Sequence, residues 1–162
     1  MNGYNLIRLI DKSLKIAKRE LYCKLTAETI LAAAIEDKEN AIFYILDSYN
    51  IDIEQLKTTL YNYLNSTLNK IKEQEKFDEQ IQISLIELKY DIINEANKLG
   101  IETIDETTIL LLILKDDNNN ITKYLYNLGL TYNELFKTLQ NKERSTPHSP
   151  IKQKPKDTKK AN

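Results

Sequence analysis

The chain has 162 residues, enough for one domain with a buried core, or for one domain and a tail. Its 23 Lys and Arg against 24 Asp and Glu leave a net charge of −1, which gives no whole-molecule attraction to nucleic acid or to an acidic membrane. One cysteine, one histidine and three glycines exclude an internal disulfide, a Cys-rich zinc site, a Cys–His nucleophile pair and the Gly-rich loop that cradles nucleotide phosphates.

The chain therefore reads as a non-enzymatic helical protein with no cofactor, metal or catalytic residues. All three prolines, Pro147, Pro150 and Pro155, lie near the C-terminus, so nothing of that kind breaks a helix before residue 142. The first helix is expected over about 4–20, with Leu6, Leu9, Ile10, Ser13 and Ala17 on one face. Thr26 begins the second, about 26–36, where its hydroxyl can accept a hydrogen bond from an orphan N–H. Leu25 and Ile30 flank that start as a hydrophobic staple. A third helix follows at about 40–49 and a fourth at 52–72, opened by Asp52 and Gln55 as a capping box with Ile51 and Leu56 stapled. Residues 70–83 are charged and read as a solvated connector, with a possible extension of the fourth helix.

The next four helices, about 84–99, 105–115, 120–128 and 131–142, repeat the first four. At a shift of 79 residues Leu6 falls on Leu85, Ala17 on Ala96, Thr29-Ile30-Leu31 on Thr108-Ile109-Leu110, Asp37 on Asp116, Leu46 on Leu125 and Thr59-Leu60 on Thr138-Leu139. The punctuation repeats as well. Asp105 stands at a helix start between Ile104 and Ile109, and Thr131 with Glu134 forms a second capping box. Gly100 and Gly129 suit left-handed C-terminal caps. Residues 30–35 and 109–114 are apolar nearly all round, which predicts two central helices touched on several sides. One four-helix unit would be marginal alone. The expected fold is all-α: eight helices as two tandem four-helix repeats, about 6–60 and 85–139, in one pseudo-twofold domain over 1–142.

From residue 142 onward seven basic residues meet two acids, a local +5 that leaves the body at −6. Residues 143–162 read as a disordered basic linker, too poor in apolar groups to offset chain entropy. No aromatic residue interleaves the lysines, so stacking on nucleic acid is not available, and neither nucleic acid nor membrane is an expected partner. No apolar run approaches the roughly 18 residues that span a bilayer, and Met1-Asn2-Gly3-Tyr4 is no secretory leader, so a cytoplasmic location is expected. Asp116-Asp117-Asn118-Asn119-Asn120 fails as a calcium loop, because Ile121 takes the turn glycine's place and Asn127 that of the bidentate glutamate. It is read as a solvated turn. The ten tyrosines suit half-buried boundary positions better than an exposed binding patch.

The segments Leu25-Thr26-Ala27-Glu28-Thr29-Ile30-Leu31 and Ile104-Asp105-Glu106-Thr107-Thr108-Ile109-Leu110, each followed by a short acidic turn, resemble the N-terminal repeat domain of the Clp unfoldases, and the resemblance covers about residues 4–142. Family members usually show Thr-Glu-His-Leu/Ile-Leu here; this chain has Thr29 in place of the histidine, and Thr107-Thr108 for Glu-His. The resemblance implies a substrate- and adaptor-recognition domain of an ATP-dependent unfoldase, closer to the protease-linked ClpA- or ClpC-like members than to the disaggregases. Its implied partners are adaptor proteins and protein substrates, with the Clp peptidase reached only through an ATPase ring. The isolated domain would be a monomer, the parent a hexamer, and the tail would continue into the ring. In the protease-linked members the motif glutamate helps to hold the guanidinium of phosphorylated arginine; Glu28 matches that position, Thr107 does not, and Glu106 is adjacent. Thr26, Glu28, Asp105, Glu106 and Thr107 are thus the candidate adaptor- or substrate-binding residues. The plainer role for Glu28 is a first-turn acid facing the helix dipole. The competing reading of the whole chain is a free-standing helical scaffold or adaptor not attached to an ATPase.

Overall fold

A computed structural model describes residues 3–71 and 74–145, which form eight α-helices and, among those residues, no strand. They are α1 Tyr4–Glu20, α2 Ala27–Asp37, α3 Ala41–Ser48, α4 Ile53–Thr67, α5 Gln74–Lys98, α6 Thr107–Leu114, α7 Asn120–Asn127 and α8 Tyr132–Ser145. The duplication is visible in the boundaries. Ala41 and Ser48, which bound α3, fall on Asn120 and Asn127, which bound α7, at the 79-residue shift. By chain contacts, two compact units are distinguished, Met1–Leu130 with α1 to α7 and Thr131–Asn162 with α8. The part of the linker from 146 onward, with all three prolines and His148, lies outside the described residues.

The two apolar helices form the core of the first unit, as their composition predicts. Residues Thr29 to Ile35 of α2 are all buried, as are all residues of α6 except Leu112. Helix α2 packs on α1, α3, α4 and α6, and α6 packs on α2, α3, α5 and α7. The run Ala32-Ala33-Ala34 has no exposed surface, and its small side chains let those neighbours approach closely.

Most helix starts follow their caps. Thr26 Oγ1 accepts from Thr29 N at 3.2 Å while Thr29 Oγ1 accepts from Thr26 N at 2.9 Å, so the threonine standing where the family has histidine closes a capping box. Asp52 accepts from Gln55 N at 3.1 Å, and Thr131 from Glu134 N at 3.2 Å. In α6 the helix begins at Thr107 and not at Asp105, because Glu106 is the capping residue and Asp105 bends its carboxylate onto Thr107.

Two boundaries depart from expectation between the repeats. Helix α4 stops at Thr67 because Leu68 turns extended, and Asn69 to Ile71 run beside Leu21 to Cys23. Cys23 N donates to Asn69 O at 3.0 Å and Ile71 N to Leu21 O at 2.8 Å. Helix α5 starts at Gln74, inside the stretch read as a solvated connector. Phe77 and Ile81 are one turn apart and buried, so the charged segment carries an apolar face that its overall composition conceals.

Both glycines close their helices as expected, with φ of +70° at Gly100 and +95° at Gly129. The equivalent positions of the first repeat are Leu21 and Asn50, which hold the same left-handed geometry with φ of 61° and 57°. For a leucine that conformation is strained, since Cβ crowds the following carbonyl oxygen.

Candidate functional site

The starts of α2 and α6 bring the candidate residues to the junction of the repeats. Glu28, in the first turn of α2, is half-buried, and its Oε2 accepts from Asn119 Nδ2 at 2.8 Å. Asn119 is the N-cap of α7, where its Oδ1 accepts from Ile121 N at 2.7 Å. The acid of the first repeat therefore holds the side chain that caps the third helix of the second repeat. Asn119 Nδ2 also donates to the Tyr63 hydroxyl at 3.3 Å. Burial raises the Tyr63 pKa, and the charges of Glu28 and Asp116 add to that effect.

Glu106 does the converse. It is buried, with 1% of its surface exposed, and its Oε2 accepts from Ala41 N at 2.8 Å and from Asn5 Nδ2 at 3.1 Å. Ala41 is the first residue of α3, so the acid of the second repeat satisfies an orphan N–H at the start of the first repeat's third helix. Glu106 Oε1 is buried without a hydrogen-bond partner, as is Thr108 Oγ1. Each repeat thus secures the other through a carboxylate at the entrance of its central helix.

A polar network continues from Glu106. Asn5 Oδ1 accepts from Arg8 Nη1 at 2.6 Å, and Arg8 grips Asp37 through Nε at 3.2 Å and Nη2 at 2.7 Å. This two-pronged guanidinium–carboxylate contact is directional as well as charged. Lys12 Nζ adds a 2.7 Å contact and Asn40 Nδ2 one of 3.1 Å. Burial alone would raise the Asp37 pKa, but the hydrogen bonds from Arg8, Lys12 and Asn40 outweigh it and hold the carboxyl well below its ordinary value. Asn40 is itself the α3 N-cap, accepting from Phe43 N at 2.9 Å.

Of the five candidate residues, Thr26, Asp105 and Thr107 are taken up in local capping. Asp105 Oδ1 accepts from Thr107 N at 2.9 Å and from the Thr107 hydroxyl at 2.5 Å. Glu28 is bonded through Oε2 and is half-buried, whereas the unbonded oxygen of Glu106, Oε1, is sealed inside the fold. Asn5, Arg8, Asn40, Tyr63 and Asn119 had no role assigned from sequence, although Asn40 and Asn119 coincide at the 79-residue shift. The acidic turn before α7 is solvated as expected at Asp116, Asp117, Asn118 and Asn120, and Asn119 alone turns inward, with 7% exposed. Several tyrosines take boundary positions, the hydroxyls of Tyr61, Tyr63 and Tyr126 bonding to Glu36, Asn119 and the Leu114 carbonyl, but Tyr22 is fully buried and Tyr4, Tyr44 and Tyr90 are exposed.

Among the described residues no cluster of His, Cys, Asp or Glu is arranged to hold a metal ion, and no helix is long and apolar enough to cross a membrane. A family model described as the Clp repeat (R) N-terminal domain matches residues 5–128. No curated protein sequence matches the chain. Among solved structures, the Hsp104 N-terminal domain from Candida albicans is similar, with a TM-score of 0.58 and 18% sequence identity over 89% of this chain and 91% of that one. That likeness speaks for the all-helical fold.

Proposed function

The chain belongs to the Clp repeat N-terminal domain family, and on that premise we propose that it is the substrate- and adaptor-recognition domain of a Clp- or Hsp100-type unfoldase. The observation that carries the reading is the family match, which runs from α1 through α7 and so includes the first repeat and three of the four helices of the second. ATP hydrolysis and threading belong to the ring to which such a domain is joined; this chain supplies a binding surface. At the candidate site the reading keeps a single half site, Glu28, whose Oε1 can accept a guanidinium while Oε2 stays on Asn119. Glu106 is spoken for by Ala41 and Asn5 and is buried, so it supports the fold instead of presenting a second acceptor.

Two measurements test the proposal. Fluorescence anisotropy of a labelled, permanently unfolded protein such as reduced carboxymethylated lactalbumin should show saturable binding to the chain; binding of nucleic acid alone would overturn the reading. The coding sequence downstream of Asn162 separates it from a free-standing scaffold. A phosphate-binding loop of the Gly-x-x-x-x-Gly-Lys-Ser/Thr type supports the unfoldase, and an immediate stop codon supports the scaffold.

A further inference from the structure

Helix α5 exposes a row of large apolar side chains: Ile83 at 55%, Ile86 at 67%, Tyr90 at 66% and Ile93 at 49%. Their spacing of three, four and three residues is that of a coiled-coil seam, so they form one straight stripe on a single face. The scaffold does not require it. The equivalent positions of α1 at the 79-residue shift are Tyr4, Ile7, Asp11 and Leu14, where a carboxylate interrupts the row. The opposite face of α5 already supplies the core through Phe77, Ile81, Leu85, Leu88 and Ile92.

One end of the stripe opens into an open cleft of about 520 Å³, which Ile83 lines together with Lys24, Lys70 and Lys76. Among the described lining residues Glu87 is the one carboxylate, and because Lys76 has a partner of its own, the positive charge that counts is that of Lys24 and Lys70. Lys70 Nζ donates to the Glu20 carbonyl at 2.7 Å and to Asn65 Oδ1 at 3.2 Å, and lies 4.5 Å from the centre of the Tyr22 ring, so none of these contacts cancels its charge. The surface is therefore an apolar seam with a positive end, on a chain whose body is negative.

We propose that this face docks an amphipathic helix of a partner protein, with large apolar residues at heptad a and d positions and carboxylates at the end that lies over Lys24 and Lys70. The inference rests on the recognition role proposed above and gives it a surface and a ligand chemistry. Matching heptad spacing seats the apolar side chains between those of α5, and the lysines select and orient the acidic end. A second copy of the chain fits the charges badly. Parallel pairing of two α5 helices sets cleft against cleft, and antiparallel pairing lays the lysines over Asn97 and Lys98.

The test uses the full chain and synthetic helical peptides with leucines at a and d positions, carrying a run of glutamates at either end, and twins with lysines there. Fluorescence anisotropy should show one glutamate-ended peptide binding, with its lysine-ended twin weaker by about tenfold or more and with affinity falling as salt rises. Ile86→Glu should weaken binding by about tenfold or more, and Lys24→Glu severalfold, with unchanged helicity by circular dichroism. Equal binding of the lysine-ended twin, or indifference to Ile86→Glu, overturns the proposal. So does a monomer–dimer equilibrium abolished by Ile86→Glu, which would assign the face to a second copy. The unfolded protein titrated in parallel separates the two claims. If it binds while no peptide does, the docking surface is wrong and the recognition role survives; if it does not bind, the role itself fails.

Discussion

Replacing Glu106 by alanine removes the acceptor that joins α6 to the starts of α3 and α1. Two hydrogen bonds end on its Oε2, from Ala41 N at 2.8 Å and Asn5 Nδ2 at 3.1 Å, in a site with 1% exposure. A hydrogen bond to a charged group contributes about 1.5–3 kcal/mol, and a buried donor left unpaired costs about 1–3 kcal/mol. Against this stands the desolvation of a carboxylate whose Oε1 has no partner, which alanine relieves. The net loss for Glu106→Ala is about 2–4 kcal/mol, or about 5–10 °C in Tm for a chain of this size. Glu106→Gln places a carbonyl oxygen where Oε2 stands and keeps both bonds at neutral strength, for a loss of about 1 kcal/mol. Urea titration followed by circular dichroism measures both, with m compared between variants so that a change in the unfolded state is not read as lost contact. Equal losses for the two variants, or less than about 1 kcal/mol for alanine, would refute the assignment of Glu106 as a junction residue.

Three further outcomes follow from the same contacts. Because the Asp37 pKa is lower in the folded chain than in the unfolded one, its stabilisation is fully present above the ordinary carboxylate value of about 4 and is lost as pH falls below it. Urea midpoints measured on acidification should fall for the native chain, and the part due to Asp37 should be absent in Asp37→Asn. Leu21→Gly relieves a left-handed leucine at φ 61° that is 42% exposed, so it should stabilise by about 0.5–1 kcal/mol despite the added freedom of the unfolded chain; a loss would show that Leu21 packing outweighs the strain. Glu28→Ala should cost about 1–2 kcal/mol by depriving Asn119 of its carboxylate, leave helicity intact, and weaken binding of a phosphoarginine peptide; unchanged affinity would confine Glu28 to the fold.

The helices were legible in sequence where local chemistry decides them. Thr26, Asp52 and Thr131 act on N–H groups three residues away, so a short window contains the whole signal. The apolar runs of α2 and α6 could be placed at the centre because no face of either is polar enough for water. What failed was decided at a distance. The end of α4 depends on the pairing of Tyr22 with Lys70, and the early start of α5 on burial of Phe77 and Ile81, neither of which shows in the charge of 70–83. At the candidate site the residue types were readable but their assignments were not. Glu106 meets partners 65 and 101 residues away, and Glu28 meets one 91 residues away, separations no local pattern encodes. The coincidence of Asn40 with Asn119 was available, and it marks the two helix starts that the glutamates reach, Glu28 at Asn119 itself and Glu106 at Ala41 beside Asn40.

The claim on which the rest depends is that α2 and α6 share one interior and that the repeats hold each other through Glu28 and Glu106. Native-state hydrogen exchange of the backbone amides tests it most directly. The account predicts that the amides of Ile30 to Ala34 and of Leu110 to Ile113 exchange with the same, highest free energy, and that Glu106→Ala lowers both together. An α6 that opens at distinctly lower free energy than α2, or a Glu106→Ala effect confined to one repeat, would contradict it.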